Sequence, residues 1–115
     1  MNRRKVGTQF EQLAAQYLEK QGYRILETNF RCRQGEIDLI AQEGEYLVFC
    51  EVKYRSDGMS GDPLEAVDRR KQGKILRTAK YYLLENGLSE DTPCRFDVIG
   101  MADGHIRLLR NAFEV

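Results

Sequence analysis

The run Tyr46-Leu47-Val48-Phe49-Cys50 is apolar or aromatic at every position and then stops at Glu51-Val52-Lys53. A strand that is apolar on both faces needs cover on both faces, so this segment predicts a central strand in a layered α/β domain. The charges at its end are the anomaly. Burying a carboxylate or an ammonium is costly unless the charge is paired or binds a metal. Glu51 and Lys53 therefore mark either an ion pair or a divalent-metal site with a lysine beside it, and the spacing favours neither.

The rest of the chain fits around that strand. Val6, Phe10, Leu13, Ala14, Tyr17 and Leu18 recur at helical spacing and predict a helix over residues 3–21, stopped by Gly22. Strands are expected over 23–30, 36–41 and 46–54. Arg31 and Arg33 lie in the turn after the first of these, and residues 42–45 form a hairpin connection with Gly44 free to take a positive φ. Asp62-Pro63-Leu64-Glu65 resembles a helix start. The second helix then either continues from there with a kink at Gly73 or begins after a separate turn, capped by Asp68. Its apolar face is Ile75, Leu76, Ala79, Tyr82 and Leu83. Strands over 94–101 and 105–109 complete the order α-β-β-β-α-β-β, a mixed sheet with helices on both faces.

A length of 115 residues suits one domain with one core. No apolar stretch reaches the roughly 18 residues of a membrane span, and no apolar segment follows the basic start, so a cytoplasmic protein without membrane contact is expected. Cys32, Cys50 and Cys94 are far apart and odd in number, which fits free thiols better than a disulfide framework or a zinc site. Eighteen basic residues balance eighteen acidic ones, which argues against a general nucleic-acid binder. The distribution qualifies that. Arg69, Arg70, Lys71, Lys74, Arg77 and Lys80 form a stretch without an acid, so a neutral chain can still present a basic face.

Strand alternation points Glu51 and Lys53 the same way. A loop at 42–45 implies a register in which Asp38 faces Phe49 and Glu36 faces Glu51, leaving Asp38 diagonal to Glu51 at about 7–8 Å. Two such carboxylates suit Mg²⁺, which keeps several waters and takes one or two protein carboxylates. Lys53 would then hold the attacking water or neutralise a phosphoryl oxygen.

These residues resemble a known family. Gly35-Glu36-Ile37-Asp38-Leu39-Ile40 followed by Leu47 to Arg55 is similar to the YraN-like family of small bacterial proteins. So are Gly7, Glu11, Ala14, Tyr17 and Leu18, the segment Pro63 to Val67 with Lys71, Cys94 to Val98, and Asn111-Ala112-Phe113. That family is similar to the PD-(D/E)xK nucleases, with a restriction-endonuclease-like fold close to Holliday-junction resolvases. The resemblance implies Asp38 as the motif aspartate, Glu51 and Lys53 as its (D/E)xK, and Glu11 as a further acid. Ile37 stands where the motif name has proline, a residue that binds no metal. Mg²⁺ or Mn²⁺ held by Glu11, Asp38 and Glu51, with Lys53 assisting, would make the protein a nuclease acting on DNA, branched or structured substrates included. The alternative is a catalytically silent nuclease fold serving as a binding module for nucleic acid or protein.

The supporting residues have two readings each. Glu11 lies about 100° from the centre of the first helix's apolar stripe. It either edges into the site or is a solvated flank. Gln72, on the apolar side of the second helix, either orients Lys53 or a phosphate, or satisfies the preceding loop's backbone. Lys71 sits at the edge of that face, from which it can approach the site and contact a phosphate. Arg31, Arg33 and Arg55 flank the proposed site in loops and can grip a phosphate backbone, which positions a protein without reading sequence. Asp97, next to Arg95, reads as a structural pairing acid. A homodimer would let such a nuclease cut two strands.

Overall fold

The computed structural model describes residues 3–55, 67–102 and 104–113. The elements are α1 (Arg3–Lys20), β1 (Arg24–Cys32), β2 (Gly35–Glu43), β3 (Tyr46–Arg55), α2 (Arg69–Glu85), β4 (Cys94–Ala102) and β5 (His105–Leu109). The expected order α-β-β-β-α-β-β is the observed one. The five strands form one sheet in the order β1-β2-β3-β4-β5. All neighbours are antiparallel except β3 and β4, which run parallel because α2 carries the chain across between them. β3 is the middle strand, as its apolar run requires.

Two cores explain that run. Phe49 and Leu47 pack with Ile75, Ala79, Tyr82 and Leu83 of α2, while Val48 and Cys50 pack with Ala14 and Leu18 of α1. Phe49 meets Tyr82 edge-on at 5.8 Å and stacks on Phe96 at 5.6 Å between ring centroids. Alternate β3 residues thus serve opposite layers.

On α1 the buried face differs from the expected one. Ala14 and Leu18 are fully buried, but Leu13 is 49% exposed. The face is turned toward Phe10, Glu11 and Ala15. Small alanines let the helix lie close to the sheet, and that closeness, not the largest apolar residue, sets its rotation. α2 begins at Arg69 with Asp68 as its N-cap, which accepts the Lys71 N–H at 2.9 Å. The segment Asp62-Pro63-Leu64-Glu65 lies outside the described residues.

The β2–β3 register also differs. Glu43 pairs with Tyr46, Ile40 with Phe49 and Leu39 with Cys50. The connection is therefore only Gly44-Glu45, with Gly44 at φ +58° and no positive φ at Glu45, the arrangement of a tight hairpin turn with glycine first. A two-residue shift keeps every side chain on its face, but it removes Asp38 from Phe49 and Glu36 from Glu51. Glu36 instead pairs with Arg31 on β1.

On β4, paired with Cys50 and one register step from Glu51, Asp97 is fully buried. Arg95 donates to both its oxygens at 2.9 Å, Tyr23 Oη–H to Oδ2 at 2.7 Å and the Asn111 N–H to Oδ1 at 2.9 Å. Arg95 also meets Glu43 at 2.6 Å. This cluster ties the start of β1, the end of β2 and the start of β4 to the chain after β5, and Asp97 is the structural acid its sequence context suggests. Burial and the Asp97 carboxylate push the Tyr23 phenol well above its ordinary range. No helix among the described residues is long and apolar enough to cross a membrane.

Candidate active site

The site forms where β2 parts from β3. The ladder ends at Leu39–Cys50. One step further, Asp38 Oδ2 accepts the Val52 N–H at 2.8 Å, so a side chain takes over from a backbone acceptor. Ile37 belongs to the α2-side core and Leu39 to the α1-side core. Residues two apart should share a face, so the strand's alternation is interrupted at Asp38. The interruption frees its carboxylate to lie beside β3 rather than above or below the sheet.

Gly35 fixes the entry to this strand. It has φ +150°, and a Cβ there would stand 3.0 Å from Thr78 Oγ1 and 3.9 Å from Lys74 carbonyl oxygen. Only glycine lets the start of β2 run this close beneath α2. The same approach sets the first turn of α2 over the end of β3. Lys71 Nζ lies 2.8 Å from Glu51 Oε1, and Lys53 Nζ lies 3.6 Å from the same atom. Glu51 is only 11% exposed, whereas each lysine is about one-third exposed.

Glu11 comes from the other side of the sheet. It is half-buried, and its Oε2 is buried without a hydrogen-bond partner. Asp38 feels it. Burial chiefly, then the charge of Glu51, push the Asp38 carboxyl up to about 7; the Val52 N–H pulls the other way, and Glu11 and Glu36 add to the rise. Burial and the neighbouring Lys71 hold the Lys53 amine below its ordinary value. For Lys71, burial acts downward but is outweighed by the pairing with Glu51 and Lys53, so its pKa rises. Among the described residues both ammonium groups thus pair with Glu51, and neither Asp38 nor Glu11 has an ion-pair partner.

Among the described residues, no three acidic, histidine or cysteine side chains stand close enough to cage a cation as they are. Glu51 is turned onto the two ammonium groups instead. Asp38, Glu51, Lys53 and Lys71 converge, and Glu11 acts on Asp38 from α1. Gln72 takes the bland alternative: its Nε2 donates to Val67 carbonyl oxygen at 3.0 Å. Arg31 is spent on an exposed pair with Glu36 at 3.0 Å, and Arg33 is exposed in the β1–β2 turn. Arg55 closes β3, and its side chain lies outside the described residues. A cavity of about 900 Å³ lined by Leu76, Tyr81, Leu84 and Phe113 lies on the flank of α2 away from these residues.

In the sequence Lys71 stands at the edge of the α2 apolar face, within reach of the site as a phosphate contact; its pairing with Glu51 was not foreseen. The signal for a stronger role was present. α2 has no acid in its first turn and opens Arg69-Arg70-Lys71, although cations are disfavoured at the positive end of a helix. The stack of Phe10 on Tyr54, with ring centroids 3.7 Å apart, gave no signal beyond two aromatic residues.

Comparison with known proteins gives a consistent identity. The model of the uncharacterised protein family UPF0102 matches residues 10–101. A UPF0102 protein of Lachnoclostridium phytofermentans is 55% identical over 99% of this chain and 97% of its own length. One of Symbiobacterium thermophilum is 50% identical over 96% of the chain and 98% of its own length, and one of Nitrosococcus oceani 43% identical over 95% and 91%. Among solved structures, Pyrococcus furiosus SfsA in complex with Ca²⁺ is matched at a TM-score of 0.30 and 17% identity, over 97% of this chain and 65% of that one, a level that bears on neither fold nor function. From the family match and these near full-length relatives, the chain belongs to UPF0102, the YraN family.

Proposed function

We propose that the protein is a metal-dependent nuclease that hydrolyses phosphodiester bonds, with DNA, branched or structured forms included, as its substrate. The observation that supports this most directly is a pair of acids without an ion-pair partner among the described residues. Glu11 Oε2 is buried and unpartnered, and Asp38 is pushed up to about 7 by burial and by the acids around it. A divalent cation beside Glu11, Asp38 and Glu51 would satisfy both, and carboxylates with water are the donor set that Mg²⁺ and Mn²⁺ take. When bound, such a cation supplies positive charge to the phosphoryl group and to the attacking water.

The chain's own residues then divide the remaining work. Asp38 is fixed by the Val52 N–H, so its free oxygen has a set direction. Lys53, on the strand beside Glu51, orients the water and meets the charge that builds on the phosphate. Lys71, Arg31, Arg33 and Arg55 are the candidates for phosphate contacts, and Lys71 is the one whose described side chain lies in the site. A homodimer fits a nuclease that cuts two strands.

A second reading has its own support. A silent nuclease fold used as a binding module accords with the balanced charge and with the absence, among the described residues, of a ready-formed cation cage. Incubation of the purified protein with Mn²⁺ and branched or single-stranded DNA separates the two. The nuclease reading expects cleavage that Asp38→Asn and Lys53→Ala both abolish while the circular dichroism spectrum is retained. Equal background cleavage by all three proteins would leave only the binding module.

A further inference from the structure

We propose that Lys71 is the resident counter-ion of Glu51 and that a divalent cation enters the site by displacing it. The inference rests on the metal reading of the site given above and deepens it.

The starting point is the uneven supply of charge. Three carboxylates and two ammonium groups converge here, yet both lysines serve Glu51. Lys71 lies at 2.8 Å and Lys53 at 3.6 Å from the same oxygen, while Glu11 Oε2 has no partner. Glu51 is 11% exposed, so water alone cannot solvate its charge, and without a cation it must be neutralised from within. Lys71 is shaped for that purpose and for leaving again. An ammonium is a compact point charge on a flexible four-carbon stem, and it makes no fork that locks onto a carboxylate.

Lys71 is the third residue after the Asp68 cap, so it stands at the positive end of the helix dipole. A lysine there gains nothing from its own helix. Its favourable partner is Glu51, and a cation that takes Glu51 releases Lys71 from an otherwise unfavourable place. Keeping both would set four positive charges, two from the cation and one from each lysine, against three carboxylates in a half-buried pocket. The exchange avoids this. It also accounts for the lack of a ready-formed cage among the described residues, because the acid that should complete one is held by Lys71. The released ammonium stays on the first turn of α2, at the mouth of the site, where a phosphate would lie.

Calorimetric titration of Mn²⁺ into the protein without nucleic acid tests the exchange. Lys71→Met removes the competitor and should tighten Mn²⁺ binding by about tenfold or more. Lys71→Arg, which keeps the charge and can pair bidentately, should bind no more tightly than the wild type. Lys74→Met removes the same charge one turn further along α2, where Lys74 is exposed. It should change affinity by less than about twofold in 0.5 M salt, where long-range fields are screened. Unchanged or weaker binding by Lys71→Met, or equal tightening by Lys74→Met, would overturn the proposal. Absence of Mn²⁺ binding in every variant would remove the metal reading and this inference together. Tightening as expected in a protein that cuts no DNA would uphold the exchange and sink the nuclease reading.

Discussion

Asp38→Asn should make the metal-free protein more stable at neutral and alkaline pH. The Asp38 carboxyl rises in pKa from 3.8 to about 7 in the fold. An acid whose pKa is raised binds its proton more tightly when folded. Its contribution to stability is greatest below pH 4, declines as the pH rises, and is gone above about 7. Three units at 1.36 kcal/mol each set a ceiling of about 4 kcal/mol on the cost of ionising Asp38 in place. Asparagine avoids that cost and keeps an oxygen for the Val52 N–H. Because Asp38 shares its charge with mobile neighbours that relax, the expected gain at pH 8 is about 2–4 kcal/mol. For a chain of this size that is a rise in melting temperature on the order of 8–16 °C. Urea unfolding of both proteins with a chelator present, at pH 4 and at pH 8, measures it. The difference between the two proteins isolates Asp38, since all other groups cancel. An Asn variant no more stable than wild type at pH 8, or one with the same advantage at pH 4, would refute the argument. A stabilising change at the proposed catalytic aspartate would show that the site is held at a cost to the fold.

Three other outcomes follow from the same structure. Glu11→Gln should lower the Asp38 pKa below about 7, read from the side-chain carboxyl resonance in an NMR pH titration, because Glu11 contributes to the rise; an unmoved titration would place Glu11 outside the site. Gly35→Ala should destabilise the protein by about 1–3 kcal/mol in urea unfolding, from the positive φ and the 3.0 Å approach to Thr78 Oγ1, and a neutral effect would show that β2 can be entered another way. Asp97→Ala should cost about 3–5 kcal/mol, since it leaves half-buried Arg95 without its bidentate partner, while Mn²⁺ affinity stays unchanged in calorimetry, because the Asp97 carboxylate is taken up by Arg95, Tyr23 and Asn111.

The layers of the fold were legible because β3 is apolar on both faces and α2 on one, patterns that leave few arrangements. Rotation and register were not. Leu13 looks like core by hydropathy, but Ala14 and Ala15 decide how α1 sits, and the cost of a wrong choice is set by the sheet it meets. The hairpin register hung on whether Gly44 begins a two-residue turn or lies within a four-residue loop. Either choice keeps the faces, so alternation could not decide between them. Strand alternation alone puts Glu51 and Lys53 side by side, as their 3.6 Å approach has it, and it brings Asp38 only near them. The way Asp38 reaches them, through an interrupted alternation and the Val52 N–H, depends on where two strands part, which no local pattern encodes. Lys71 reached the site through a crossover between β3 and α2, and the unfavourable charge at the start of its helix was the one local trace.

The central claim is that Glu11, Asp38 and Glu51 together form a site for a divalent cation. Calorimetric titration of Mn²⁺ into the wild-type protein and into Glu51→Gln at pH 8 tests it most directly. The wild type should bind one or two ions saturably, and the variant at least about tenfold more weakly. Binding that is absent from the wild type, or that survives the loss of the Glu51 charge undiminished, would contradict it.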